Sequence, residues 1–278
     1  MRRSYLYIPA IKEGYFTKLD SNNADAIIFD LEDSVSLQNK KEAREILQNF
    51  FNQQKNVTKD IFIRINSEKM LIKDDIKLIK KNVSKIRGIF LPKINSSADI
   101  NKIVEVIDEN SLEIIPLIET PTSVLNLEEI SKNKKVETVA LGEVDLSNSL
   151  NINPNKGLKQ LIPIRLFVNL VIAAYEKTPP IGPVWTNIED KKGLEKHMNT
   201  IKDLGYSGAQ LIHPSQIDAT NKIFSHSDED IKWAKSILEA NNETKSSSGS
   251  FKDNNNEMVD EAVIKRAKKL IESIEENN

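Results

Sequence analysis

The chain has 278 residues, 39% hydrophobic and 29% charged, enough to close one large core. A formal net charge of −2 argues against a general binder of nucleic acid or anionic membrane, so any anionic ligand must be met by local positive charge. The absence of cysteine excludes a disulfide scaffold, a thiolate nucleophile and a Cys-ligated zinc site.

In chain order, short apolar runs alternate with helix-length amphipathic stretches. Two arginines precede SYLYIPAI, which Pro9 breaks before an apolar core of signal-peptide length is reached. No uncharged apolar stretch approaches the roughly 20 residues that span a bilayer, so a soluble, cytoplasmic protein is expected. Strand-like runs lie at 5–9 (YLYIP), 26–30 (AIIFD), 61–65 (IFIRI), 88–92 (GIFLP), 113–119 (EIIPLIE) and 137–142 (ETVALG). A weak one follows at 181–185 (IGPVW) and a last one at 209–213 (AQLIH). Helical candidates fall near 38–54, 68–83, 96–110, 121–133, 158–177 and 189–204. Fully apolar runs interleaved with helices predict a parallel sheet covered by helices. About eight such units favour a closed (β/α)₈ TIM barrel over an open sheet. An open sheet would also want a Gly-rich turn after its first strand, where Ile8-Pro9-Ala10-Ile11 stands.

The barrel is expected over residues 1–242. Residues 243–257 (ETKSSSGSFKDNNNE) read as a flexible connector, and 258–278 as an amphipathic helix, a C-terminal lid segment. Its apolar positions are Val259, Ala262, Val263, Ala267, Leu270, Ile271 and Ile274. Such a helix cannot bury its stripe alone and must dock on the barrel or on a neighbouring subunit.

Polar residues collect where the strands end. The second run ends in Asp30-Leu31-Glu32-Asp33, the third carries Arg64 and Asn66, and the fourth ends in Pro92-Lys93. The fifth ends in Glu119-Thr120, the sixth in Gly142-Glu143-Val144-Asp145, and the eighth in His213-Pro214. In a barrel of this type that end carries the chemistry. Strand alternation puts Asp30 and Glu32 on one face, and Arg64 and Asn66 on one face. Carboxylates at an apolar mouth are costly unless paired or metal-bound. The simplest arrangement is a hard cation held by Glu119 and Asp145, which suits Mg²⁺, with Arg64 balancing substrate charge. Competing structural readings are loop salt bridges from Lys40 and Arg44 to the DLEDSV segment, a buried ion pair for Arg64, and a structural hydrogen bond for His213. His197 and His226 read as surface residues. Three scattered histidines offer no two-His metal site and no catalytic triad.

These segments together resemble the citrate lyase β-subunit-like family of the HpcH/HpaI aldolase/citrate lyase superfamily. The resemblance is carried by RRSYLYIPA (2–10), FDLEDSV with Lys40 and Arg44, RIN (64–66), LPK (91–93), IET (118–120), GEVDL (142–146) and GYSGAQLIHPSQI (205–217). It implies a (β/α)₈ barrel assembled as a homotrimer or hexamer, and Mg²⁺-dependent Claisen or aldol chemistry. Glu119 and Asp145 fall on the metal-ligand positions. Arg64 falls on the arginine that holds the reacting carbonyl and stabilises the enolate. Asp30, Glu32 and Asp33 fall on the acidic block beside the metal, Glu32 and Asp33 with catalytic roles and Asp30 at the substrate. Backbone N–H groups around Gly142 and Glu143 would bind the oxo acid carboxylate. Arg3, Tyr5 and Lys12 lie where relatives approach the coenzyme A arm. The stretch NEMVDEA (256–262) matches a family segment whose aspartate, here Asp260, acts as general acid or base in a neighbouring subunit's site. It departs at Asn256 and Ala262, where relatives carry glycine and proline. Further departures are Ala209 in place of a frequent lysine, and Gly182 in place of an acidic residue.

The resemblance implies cleavage of a β-hydroxyacyl thioester, of citramalyl-CoA or malyl-CoA type, to acetyl-CoA and a 2-oxo acid. The alternatives are a citrate lyase β subunit acting on citryl-acyl carrier protein, a malyl-CoA-type thioesterase, and a non-catalytic barrel subunit.

Overall fold

Strands buried on both faces must be apolar on both, and the eight runs satisfy this. In the computed structural model, which describes residues 1–53, 58–153, 159–244, 251–252 and 258–275, they pair in sequence order as parallel strands. They are β1 (Ser4–Pro9), β2 (Ala26–Asp30), β3 (Asp60–Arg64), β4 (Gly88–Leu91), β5 (Glu113–Ile118), β6 (Ala140–Leu141), β7 (Ile181–Gly182) and β8 (Gly208–Leu211). β8 returns to β1 through Ser4↔Ala209, Tyr5↔Gln210 and Leu6↔Leu211, closing the (β/α)₈ barrel. The faint seventh run contributes two ladder residues.

The covering helices are α1 (Lys40–Gln53), α2 (Lys69–Lys81), α3 (Ser97–Ile107), α4 (Pro121–Leu125), α5 (Leu127–Lys132), α6 (Glu143–Ser149), α7 (Ile162–Ala174), α8 (Lys191–Asp203) and α9 (Ile217–Phe224). Local chemistry sets several of their starts. Ser96 accepts from the Asp99 N–H ahead of α3, and Asp190 accepts from the Gly193 N–H ahead of α8. Thr120 and Ser123 form a reciprocal capping box with Pro121 in the first turn of α4. The helix predicted over 121–133 divides at Asn126 into α4 and α5.

Side chains alternate between lumen and helix layer. Tyr5, Ile28, Phe62, Phe90, Ile115 and Leu117 pack inside, while Leu6, Ile27, Ile61, Ile63 and Ile89 join the larger core under the helices. Phe62 and Phe90 meet edge to face, with Tyr5 against both, filling the middle of the lumen. At the amino end Arg2 closes the floor. It pairs with Asp60 at 2.5 Å and Glu113 at 2.9 Å, and its guanidinium lies 5.0 Å from the Phe62 ring centre. Amino-end charges are therefore neutralised by one another, and the chemistry is left to the other end.

The chain divides into two compact units, Arg2–Phe224 and Ser225–Asn278 with Met1, so the barrel unit ends earlier than 242. The residues after Phe224 form a helix that the sequence reading did not single out, α10 (Asp228–Thr244). The expected C-terminal helix is α11 (Glu261–Glu275), and its stripe packs on α10. Val259, Val263, Ala267, Leu270 and Ile271 meet Trp233, Ala234, Ile237 and Leu238, while Ala262 is exposed. Arg266 stacks on Trp233 at 5.0 Å. Of the expected connector, 245–250 and 253–257 lie outside the described residues. Between them β9 (Phe251–Lys252) pairs antiparallel with β10 (Met258–Val259). Asn256, one of the two departures in the lid segment, also lies outside them.

Candidate active site

The inward register that fills the lumen with apolar rings carries polar groups at its last step. Asp30 follows Ile28, Arg64 follows Phe62, Glu119 follows Leu117, and Tyr7 follows Tyr5, each two residues on. Asp30 and Arg64 are ladder partners, which brings them together. A cavity of about 400 Å³ opens at this carboxyl end. Its walls include Tyr7, Asp30, Asp33, Arg64, Glu119, Gly142, Asp145 and Gln210, with Leu117, Leu141, Val184 and Ile212 as apolar lining.

Arg64 is the hub. Its Nε and Nη2 donate to Asp30 Oδ1 and Oδ2 at 2.7 and 2.6 Å, and Nη1 lies 3.3 Å from Glu32 and 3.7 Å from Asp33. Its guanidinium sits 4.8 Å over the Tyr7 ring. Burial alone would raise the Asp30 carboxyl, but the charge and hydrogen bonds of Arg64 hold it below the usual range. Asp30 also accepts from the backbone N–H groups of Glu32 and Ser34, which shapes the acidic loop. Lys40 is buried and donates to the carbonyls of Leu31 and Glu32, not to the carboxylates. Arg44 pairs with Asp75 at 2.9 Å. Neither cation makes the loop salt bridge that the competing reading required. Asn66 does not line the cavity: β3 ends at Arg64, and Asn66 donates its N–H and Nδ2 to Asp75.

Glu119 is buried and spends Oε1 on the backbone N–H of Lys93 at 2.6 Å, a residue held at φ 53°. Burial pushes its carboxyl up to about 7, with Glu32 and Asp145 adding repulsion against the Lys93 N–H and Arg64. Gly142 is required beside it, because a Cβ there would come within 2.5 Å of Glu119 Cβ and 2.9 Å of Oε2. Glu32 is raised by burial too. Both of its oxygens are buried without a hydrogen bond, although Lys93 Nζ stands 3.2 Å away.

These features fit a hard cation. Carboxylates outnumber cations at the wall, the available donors are oxygen, and a buried carboxylate beside them has unused acceptor capacity. Among the described residues no group of three or more His, Cys, Asp or Glu is gathered so as to hold a metal by itself. Two carboxylates, Glu119 and Asp145, with remaining positions left to water and substrate, is the mode Mg²⁺ commonly takes.

Two other expectations are revised. Arg3 and Tyr5 lie toward the amino end of β1: Arg3 is held by Asp25 at 2.8 Å, and Tyr5 is buried between lumen rings. Neither lines the cavity, so neither is placed to meet a coenzyme A arm there; Lys12, past the carboxyl end of β1, is exposed. His197 is buried, with Nε2 3.3 Å from the Pro183 carbonyl, and is not a surface residue. His213 makes the structural bond expected of it, accepting from the Ser215 N–H at 3.2 Å.

Sequence reasoning missed Tyr7 and Gln210. The Tyr7 hydroxyl donates to Gln210 Oε1 at 2.9 Å, and Gln210 Nε2 donates to the carbonyls of Leu141 and Gly182 at 3.1 Å. The available signal was a polar residue at an inward position of an otherwise buried strand. Glu143 borders the cavity, but its carboxylate is committed to Arg165 at 2.5 and 2.6 Å.

The chain matches the HpcH/HpaI aldolase/citrate lyase description over residues 3–214. It belongs to that family. Citrate lyase subunit beta of Leuconostoc mesenteroides subsp. cremoris is 26% identical, with 100% of this chain and 95% of that one covered. A (3S)-malyl-CoA thioesterase of Cereibacter sphaeroides is 29% identical, covering 84% and 80%. The mitochondrial citramalyl-CoA lyase of Homo sapiens is 26% identical, covering 97% and 84%. Among solved structures, protein CitE from Mycobacterium tuberculosis in complex with magnesium, acetoacetate and coenzyme A superposes with a TM-score of 0.80. It is 24% identical and covers 98% and 97%. This member of the HpcH/HpaI family is thus an enzyme, a lyase of the aldolase/citrate lyase class. The matched span holds Asp30, Arg64, Glu119 and Asp145, and Asp260 lies beyond it. The departures Gly182 and Ala209 are ladder partners, and a Cβ at 182 would point at Ile201 of α8. Neither residue lines the cavity. Among the described residues no helix is long and apolar enough to cross a membrane.

Proposed function

We propose that this enzyme is a Mg²⁺-dependent lyase that cleaves a β-hydroxyacyl thioester of citramalyl-CoA or malyl-CoA type to acetyl-CoA and a 2-oxo acid. The observation that carries the reading is Arg64, clamped by Asp30 in the same cavity wall as Glu119 and Asp145. Glu119 and Asp145 would hold the metal, which when bound supplies Lewis-acid stabilisation of charge on the substrate hydroxyl oxygen.

The hydroxyl proton is lost to the acidic block, where Asp33 lines the cavity and Glu32 has unused acceptor capacity. The hydroxyl-bearing carbon becomes the oxo carbon of the 2-oxo acid as its bond to the thioester α-carbon breaks. The electron pair passes to the α-carbon and the thioester oxygen, where Arg64 N–H groups stabilise the enolate. Asp260 returns a proton to the α-carbon. The Glu143 backbone N–H at the start of α6, on the cavity wall, receives the oxo acid carboxylate; the expected Gly142 N–H is spent on the Ile118 carbonyl at 3.0 Å. In this reading the protein works as a trimer or hexamer, with Asp260 supplied by a neighbouring copy.

The test is a panel of citramalyl-CoA, malyl-CoA, citryl-CoA and citryl-acyl carrier protein with Mg²⁺ or EDTA, following acetyl thioester and 2-oxo acid. Metal-dependent cleavage of citramalyl-CoA or malyl-CoA is expected, and loss of it in Glu119→Ala. Turnover of the carrier-protein substrate alone would make the chain a citrate lyase β subunit. The similarity to a malyl-CoA thioesterase favours a second outcome, in which free hydroxy acid accumulates in place of acetyl-CoA and oxo acid.

A further inference from the structure

Arg165 is the one charged residue of α7, whose thirteen positions are otherwise apolar apart from Asn169. It turns inward, 3% exposed, and grips Glu143, 1% exposed, with two short parallel hydrogen bonds. The Tyr206 hydroxyl donates to the Arg165 carbonyl at 3.0 Å and fixes the same turn of α7. Glu143 opens α6, immediately after Gly142 and two residues before Asp145. That segment has little regular structure of its own to hold it. β6 has two ladder residues, α6 has seven residues, and Gly142 at its start offers no side-chain cap.

A buried ion pair adds little stability over a well-packed apolar pair, so stability does not explain this one. What a bidentate Arg–carboxylate pair supplies is fixed geometry. We infer that Arg165 and Glu143 are positioning residues for the metal site. They lock the first turn of α6 so that Asp145 faces Glu119 across the cavity end. The inference rests on the reading of Glu119 and Asp145 as metal ligands, and adds to it the two residues that set their mutual placement.

The test uses the purified full-length protein stripped of metal and titrated with Mn²⁺ alone, following free Mn²⁺ by electron paramagnetic resonance. Wild type should bind, and Asp145→Ala should not; failure of either removes the metal reading and this inference with it. Given that control, Arg165→Lys, which keeps the charge and loses the fork, should weaken Mn²⁺ binding about ten- to a hundred-fold. The double variant Glu143→Leu/Arg165→Met should melt near wild type yet bind Mn²⁺ equally weakly. Wild-type Mn²⁺ affinity in Arg165→Lys, or in the folded double variant, would overturn the positioning role.

Discussion

Asp260, proposed as the general acid, also has a structural role, and a single substitution would confuse the two. Its Oδ1 accepts from the backbone N–H groups of Ala262 and Val263 at 3.0 and 3.1 Å, so it is the N-cap of α11. Replacement by alanine removes cap and charge together and should cost about 1 kcal/mol of helix stability. Asparagine caps as well as aspartate but cannot transfer a proton. Asp260→Asn should therefore melt like wild type and still lose cleavage by at least about 100-fold, the scale of general acid–base catalysis. Near-normal turnover in Asp260→Asn would leave the residue only its cap. His197 makes a second prediction at this scale. Burial, with Arg165 nearby, lowers its pKa from 6.5 to about 4. The native state keeps it neutral while the unfolded chain protonates near 6.5. Stability is thus unaffected above pH 6.5 and falls as pH drops from about 6.5 to about 4, by up to roughly 3 kcal/mol. Urea unfolding from pH 7.5 to 4.5 should show a shallower decline in His197→Gln than in wild type. Parallel curves would mean the ring titrates normally.

At the level of elements, the tight fit between β5 and β6 makes the sharpest prediction. In Gly142→Ala the new methyl would collide with the Glu119 side chain, while the backbone at φ −99° accepts alanine without strain. Overpacking of this kind costs about 1–3 kcal/mol. Because the yielding group is the carboxylate proposed to hold the metal, cleavage should fall at least about tenfold while the barrel stays folded; unchanged turnover would show that Glu119 need not stand where it does. The strands and their polar ends were legible because burial on both faces demands an unbroken apolar run, and Asp30, Arg64, Glu119 and Asp145 interrupt or end such runs. Contacts made between elements were not. Glu143 and Arg165 meet across a loop, and the clue was a lone arginine in an apolar helix. His197 looked like a surface residue among the charges of KKGLEKHMNTIKD. Yet it shares a helical face with Leu194, Met198 and Ile201, all buried. α10 escaped because its acidic start and polar end hid Trp233, Ala234, Ile237 and Leu238, whose spacing is that of one face.

For the whole molecule, the proposed assembly can be tested at α7. Outside its buried Arg165 the helix shows solvent Leu166 (55% exposed), Phe167 (41%) and Leu170 (64%), and no charge. A helix apolar on all sides is normally buried on all sides, and exposed apolar patches of this kind mark interaction surfaces. The occupant expected is a second copy of the chain, because the proposed chemistry draws Asp260 from a neighbour. Leu166→Glu/Leu170→Glu would place two charges in such an interface, where unpaired burial is costly. On a monomer the same two substitutions relieve exposed apolar surface and leave stability within about 0.5 kcal/mol. Light scattering behind gel filtration should show wild type as a trimer or hexamer and the double variant as a smaller species. Cleavage should fall with the loss of assembly, and mixing the variant with Asp260→Asn should not restore it. A monomeric wild type that still cleaves would remove the neighbour from the mechanism. Asp260 would then have to act within its own chain or not at all.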